Sequence, residues 1–248
     1  MIILKSPQEV EKIGHACHVV AMTLNYLKAR VNPGVTTQEL DRLAEEFMVK
    51  QGARPAFKGY RDFPCTICTS INEEVVHGIP SKKRLKEGDI IGIDVGAVVD
   101  GYFGDAAITL PVGRIAPDVQ RLLEVTEQAL YEGISQAYPG NRLSDISHAI
   151  QTRAEAAGFG VVRDFVGHGI GKNLHEDPQV PNFGLPGQGP RLKEGMVLAI
   201  EPMINMGGAP VKVLEDNWTV ITQDRSLSAH FEHTIAVTPQ GPVILTKL

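Results

Sequence analysis

Several absences narrow the field. No stretch approaches the ~18 consecutive apolar residues of a membrane span. The opening run Met1-Ile2-Ile3-Leu4-Lys5-Ser6-Pro7 is too short and lacks the basic leader of a secretory signal. Cysteine occurs three times in 248 residues, too seldom for a disulfide framework, and this suits a reducing compartment. Cys65 and Cys68 form a C-x-x-C with no second pair to complete a zinc site, so they read as small buried residues on a strand. Aromatics make up only 6% of the chain, and tryptophan occurs once. The formal net charge of -5 argues against binding led by nucleic-acid phosphates. Low-complexity tracts and long charge runs are missing. The chain is expected in the cytoplasm, with neither a membrane nor a nucleic acid as partner.

What is present is a repeat. Arg-Leu-Lys-Glu-Gly occurs at Arg84 to Gly88 and again at Arg191 to Gly195. Each copy leads into an apolar stretch bearing an acid at the same place, Asp94 in one and Glu201 in the other. Upstream stand His77-Gly78-Ile79 and His168-Gly169-Ile170. Downstream a second acid sits in an apolar frame: Asp105 in the first half, Glu232 in the second. The landmarks Pro33-Gly34 and Pro139-Gly140, then Gly52 and Gly158, recur at the same offset to within a residue. Two copies at so long a period are not a solenoid. A single catalytic domain over 1–248 is expected, of two related halves at roughly 1–115 and 116–248. That length lies near the upper limit for one hydrophobic core.

Local chemistry places the elements. Ser6-Pro7-Gln8-Glu9 is a capping box with proline at the first helical position, followed by Val10, Ile13, Cys17 and Val20 at helical spacing. Thr36 and Glu39 form a second box ahead of Leu40, Leu43 and Phe47, and Gly52 ends that helix. Pro117 opens a third helix and Ser144 is read as the N-cap of a fourth, ending at Gly158. Strands are expected at Cys65 to Val76, Asp89 to Val99, Tyr102 to Val112, Gly160 to Val166, Met196 to Asn205, Val211 to Thr222 and His233 to Val237. Each half thus reads helix, helix, strands. The fold class is α+β, with helices covering a curved antiparallel sheet.

Asp100-Gly101 between Val99 and Tyr102 signals a two-residue hairpin. That register sets Asp105 opposite Gly96, so Asp94 and Asp105 share a face as diagonal neighbours, Cβ atoms no more than ~7–8 Å apart. On strands this apolar, two unpaired acids would be very costly. If Asp94, Asp105, Glu201 and Glu232 converge, two divalent cations balance their charge. An oxygen-rich set with one imidazole, His168, suits Mn(II), Fe(II), Co(II) or Zn(II). Paired ions of this kind activate water.

The motifs Gly167-His168-Gly169-Ile170-Gly171 with His175, Ile93-Asp94-Val95-Gly96, Gly104-Asp105, Ile200-Glu201-Pro202 and Phe231-Glu232-His233-Thr234 resemble those of bacterial, type I methionine aminopeptidases. Ser70-Ile71-Asn72-Glu73 followed by His77-Gly78-Ile79-Pro80 belongs to the same pattern. The resemblance covers essentially the whole chain. It implies the pita-bread fold, a monomer, and removal of the initiator methionine from nascent polypeptide N-termini near the ribosome when the second residue is small. It implies the ligands Asp94, Asp105, His168, Glu201 and Glu232, with Asp105 and Glu232 bridging. A hydroxide held between the ions would be the nucleophile and Glu201 the general acid/base. His175 is similar to the residue that stabilises the oxyanion, and His77 to the one that contacts the following amide. Tyr60, Phe63, Cys68 and Trp218 would line the methionine pocket, which Phe57 and Leu174 reshape, since the family often has cysteine and phenylalanine there. Asn72 and Ser228 match a monovalent-cation site.

Two other readings use the same residues. A proline-specific peptidase shares the five ligands. A non-catalytic binding module on this fold would be marked by loss of ligands, and all five are present.

Overall fold

A computed structural model describes residues 1–247; Leu248, the last position of the expected unit, lies outside the described residues. Four helices, α1 (Pro7–Lys28), α2 (Thr37–Lys50), α3 (Pro117–Ile134) and α4 (Leu143–Ala156), cover antiparallel sheets. The strands are β1 (Arg54–Pro55), β2 (Cys68–Ile71), β3 (Glu74–Val76), β4 (Ile90–Val99), β5 (Tyr102–Pro111), β6 (Gly160–Val161), β7 (Gly167–Gly169) and β8 (Glu176–Val180). They continue as β9 (Val197–Ile200), β10 (Met203–Asn205), β11 (Val211–Val213), β12 (Val220–Thr222), β13 (Ser228–His230), β14 (His233–Thr238) and β15 (Gly241–Ile244). In the first half β4 lies between β5 on one edge and β1 and β2 on the other. In the second the order is β15-β14-β9-β7-β8. Among the described residues, no helix is long and apolar enough to cross a membrane.

The capping box of α1 forms as expected: Ser6 Oγ accepts from Glu9 N, and the Glu9 carboxylate accepts from Ser6 N. At α2 only half the box forms, Thr36 Oγ1 accepting from Glu39 N. The N-cap of α4 is Arg142 rather than Ser144. The Ser144 hydroxyl is taken by Gln188, whose main-chain N–H it accepts and whose carbonyl it donates to. Asp145 caps instead, accepting from Arg142 N at 2.7 Å.

The repeated pentapeptide does the same work twice. The Arg84 guanidinium donates to Gly34 O and the Arg191 guanidinium to Gly140 O. Gly34 N donates to Leu85 O and Gly140 N to Leu192 O. Both leucines are buried. Each copy therefore ties the Pro-Gly turn between two helices to the start of the strand that carries the acid.

The β4–β5 hairpin has the expected register: Val99 pairs with Tyr102 and Gly96 with Asp105. Asp100 and Gly101 both take positive φ, 49° and 78°, as a type I′ turn demands. Strand alternation then sorts the faces. Ile91, Ile93, Val95 and Ala97 pack in the core under α1 and α2, leaving Asp94 and Gly96 on the opposite face beside Cys68, which pairs with Asp94. The core of the second half joins α3 and α4 to β9 and β14 through Leu122, Leu130, Ile146, Ile150, Leu198 and Ile235.

Helix α1 lies directly on the hairpin at Gly104. A Cβ there would stand 2.6 Å from Cys17 N and 2.8 Å from Ala16 C, main-chain atoms that cannot swing aside. We expect Gly104→Ala to lower stability by ~1–3 kcal/mol, the usual cost of overpacking. Urea unfolding measures it, and an unchanged midpoint would contradict the close approach.

Several long strand expectations break in two. Cys65 to Val76 contains β2 and β3, separated where Asn72 adopts φ 59° and Glu74 Oε2 accepts from Ile71 N. Met196 to Asn205 is interrupted at Glu201-Pro202, since proline cannot donate to a ladder. Val211 to Thr222 divides into β11 and β12, and Gly160 to Val166 shrinks to β6.

Candidate metal centre and active site

The first-half acids come from the hairpin. The second-half groups come from three other places: His168 from β7, Glu201 from just past β9, and Glu232 from just before β14. What brings them together is a seam along β5. The Thr234 hydroxyl donates to Asp105 O at 2.7 Å and accepts from Asp105 N. Glu232 N donates to Ala107 O at 2.8 Å. The Thr109 hydroxyl donates to His230 O at 2.7 Å and accepts from His230 N at 2.9 Å. These contacts step two residues at a time in antiparallel register, joining one half to the other at the candidate site. The sequence signal was present, since Thr109 and Thr234 are polar residues in apolar strands, but their partners were not legible. Asn182, also unforeseen, donates from its amide to Glu201 O at 3.0 Å and holds that turn.

Candidate ligand atoms of Asp105, His168 and Glu232 all lie within 4.8 Å of one another, and all three residues are buried. His168 Nε2 stands 3.6 Å from Glu201 Oε1 and 3.9 Å from Asp105 Oδ2. Asp94 lies beside Asp105 on one face of the hairpin, Asp105 pairing with Gly96 two residues along. Asp94 and Glu201 are partly open to the cavity, while Asp105 and Glu232 are closed off.

Burial, as the main cause, pushes the Asp94 carboxyl up to about 7, although the adjacent Asp105 side chain opposes this. Burial and then the neighbouring carboxylates raise Asp105, Glu201 and Glu232 well above the carboxylate range. Burial draws His168 down to about 3, so its imidazole is neutral.

The fit of a cation follows from the donor set. Asp94 Oδ1, Asp105 Oδ1 and Glu232 Oε1 are buried without a hydrogen-bond partner among the described residues, an arrangement that costs free energy unless something compensates it. His168 Nδ1 lies 2.9 Å from Gly169 O. Only an N–H can bond a carbonyl, so that contact places the single proton on Nδ1 and leaves Nε2 a bare lone pair. That lone pair faces carboxylate oxygens. Acceptors gathered around a gap with the imidazole tautomer fixed from behind make up the donor set of a divalent cation.

The cavity above this cluster is lined by all the other expected site residues: Tyr60, Phe63, Cys68, His77, His175 and Trp218, together with Phe57 and Leu174. Phe63 and Trp218 meet edge to face at 5.0 Å. His77, in left-handed backbone at φ 59°, packs against Trp218 and is drawn down to about 4 by burial and then by His175. His175 stands at the open rim, its ring 4.3 Å from that of His168, with the Tyr60 hydroxyl 2.9 Å from Nδ1. Arg61, not foreseen, also reaches the cavity. Cys65 and Cys68 are free thiols, both raised by burial, the opposite of a reactive pair.

Asn72 and Ser228 are adjacent, Ser228 N donating to Asn72 O at 2.9 Å. Both side chains are engaged elsewhere: the Asn72 amide with Asp89 and Ile90 N, the Ser228 hydroxyl with Asn205 and Ile204 O.

The family model for metallopeptidase family M24 matches residues 11–239. The chain is 58% identical over 248 residues to methionine aminopeptidase 1 of Bacillus subtilis, covering all of both chains. Among solved structures, methionine aminopeptidase from Thermotoga maritima superposes with a TM-score of 0.99 at 49% identity over the full length of both chains. Prolidase from Pyrococcus furiosus superposes with a TM-score of 0.80 at 26% identity, over 99% of this chain and 66% of the prolidase.

Proposed function

The chain belongs to metallopeptidase family M24, and from that premise we propose that it removes the initiator methionine of nascent polypeptides, using two divalent ions held by Asp94, Asp105, His168, Glu201 and Glu232. Membership and full-length likeness to methionine aminopeptidases make it a metal-dependent aminopeptidase of pita-bread fold. The observation that carries the ligand assignment is the His168 lone pair turned on Glu201 and Asp105 at 3.6 and 3.9 Å.

Asp105 and Glu232 would be shared between the two ions, Asp94 would help hold one, and His168 and Glu201 the other. Ions bound there would activate water and polarise the scissile carbonyl; Co(II), Mn(II), Fe(II) and Zn(II) all suit the donors. The chain's own groups do the rest. Glu201 takes the proton of the attacking water and returns it to the departing amine. Burial raises its carboxyl above the usual range, and cations at the centre would oppose that and keep it ionised to accept the proton. His175, at the rim with Tyr60 on Nδ1, is placed to stabilise the oxygen of the attacked carbonyl through Nε2. His77 takes the following amide. Phe63, Cys68, Trp218 and Tyr60 exclude water from the methionine side chain, with Phe57 and Leu174 closing the wall. The reading treats residues 1–248 as one catalytic domain acting as a monomer in the cytoplasm. It includes a monovalent cation beside Asn72 and Ser228 on main-chain oxygens, since both side chains are engaged.

The seat of the second substrate residue lies past His77 and β2, so a bulky side chain displaces the scissile carbonyl. A ~1 Å misplacement costs ~10²-fold in rate. With Mn(II)-loaded protein, kcat/KM for Met-Ala-Ser should exceed that for Met-Phe-Ser by about that factor, and Ala-Pro should remain intact. Equal rates for the two methionyl peptides would refute the steric gate. Cleavage of Xaa-Pro without methionine release would transfer the chain to the proline-specific branch.

A further inference from the structure

One buried imidazole beside the cluster has no part in the mechanism above. His230 is 4% exposed, and its Nε2 has no hydrogen-bond partner among the described residues. The atom it faces is Glu201 Oε2, 3.7 Å away. Glu201 thus stands between two imidazoles, His168 on the Oε1 side and His230 on the Oε2 side.

The two histidines are held differently. His168 spends its proton on Gly169 O, so it meets Oε1 with a lone pair. No main-chain carbonyl among the described residues accepts from His230 Nε2. With Glu201 ionised by bound cations, a bare Nε2 facing Oε2 would set lone pair against lone pair in a buried place. A proton on Nε2 turns the same contact into a charge-assisted hydrogen bond, the stronger kind. The separation exceeds an ordinary N–H···O bond by about 0.7 Å, a looseness common in ligand-free sites, which tighten when the reacting complex forms. The ring is well placed to hold a neighbour. The Thr109 hydroxyl engages both the N–H and the carbonyl of His230, and β13 pairs His230 with Met203, two residues past Glu201.

We infer that His230 donates Nε2–H to Glu201 Oε2 and thereby positions the Glu201 carboxylate. The bond occupies Oε2 and fixes the carboxylate plane, leaving Oε1, the oxygen facing His168, for the centre. His230 is a positioning residue that acts through Glu201, and the inference rests on the role assigned to Glu201 above.

Two substitutions in the Mn(II)-loaded full chain separate donor from packing. His230→Leu fills the space without an N–H and is expected to lower kcat for Met-Ala-Ser ~10–100-fold at unchanged KM, the usual loss when the partner of a ligand is removed. His230→Gln keeps an N–H donor and is expected to recover most of that loss. An unchanged kcat in His230→Leu, or a His230→Gln as impaired as the leucine variant, overturns the inference. A readout independent of turnover uses wild-type protein loaded with diamagnetic Zn(II). Proton–nitrogen NMR should find the His230 proton on Nε2; a bare Nε2 overturns the inference even if neither variant folds. Full turnover in Glu201→Gln would instead sink the acid–base role of Glu201, while the His230 tautomer still reports whether the bond exists.

Discussion

Glu201→Gln is expected to cut kcat by ~10²–10⁴-fold, the range for losing a general acid/base, while the chain folds and still takes up divalent ions. The amide preserves the shape and one oxygen donor. It cannot accept the proton of the attacking water or return it to the departing amine. The local frame should survive, because the Glu201 carbonyl is held by the Asn182 amide and does not depend on the carboxylate. One consequence separates this variant from a ligand deletion: metal content measured after dialysis should stay substantial while turnover falls. Near-normal turnover in metal-replete buffer would remove Glu201 from the proton-transfer role.

The second large effect is expected at Asp105. This residue lies at the middle of the cluster, beside Asp94 on one face of the hairpin and within reach of both His168 and Glu232. Its main chain is clamped by Thr234. If its carboxylate bridges, Asp105→Ala should abolish binding at both positions, whereas Asp94→Ala should weaken mainly one. Isothermal titration of Mn(II) into the two metal-free variants compares them. Thermal unfolding adds a check, because ligands bound only by the folded chain raise its stability by mass action. The rise in unfolding temperature on adding Mn(II) to wild type should vanish in Asp105→Ala and persist in reduced form in Asp94→Ala. Two-ion binding by Asp105→Ala indistinguishable from wild type would overturn the bridging assignment.

Local chemistry made a good part of this molecule legible in advance. The Asp100-Gly101 turn dictates the β4–β5 register because only a primed turn matches strand twist with two residues. Once that register is set, the period of two places Asp94 and Asp105 on one face without further information. The helix starts at Ser6 and Thr36 follow from capping atoms a few residues away. The repeated pentapeptide marks a repeated contact, since each arginine reaches the carbonyl of its own Pro-Gly turn. Likeness of motifs supplied the remaining candidates, and the cavity gathers all of them except Asn72 and Ser228.

The tertiary structure decided the rest. Ser144 looked like a cap, but Gln188, far along the chain, claims its hydroxyl. Breaks at Asn72 and at Glu201-Pro202 interrupt otherwise strand-like stretches. The short strands β7 and β13 carry too few residues to show alternation. Above all, the seam of Thr234 on Asp105, Glu232 on Ala107 and Thr109 on His230 joins segments more than a hundred residues apart. A hydrogen bond between distant segments leaves no period in either one. The sequence by itself therefore determined which residues could hold ions and which two shared a face. Only the packing of the two halves decided which oxygens lie unpartnered, which way the His168 lone pair points, and that His230 stands behind Glu201.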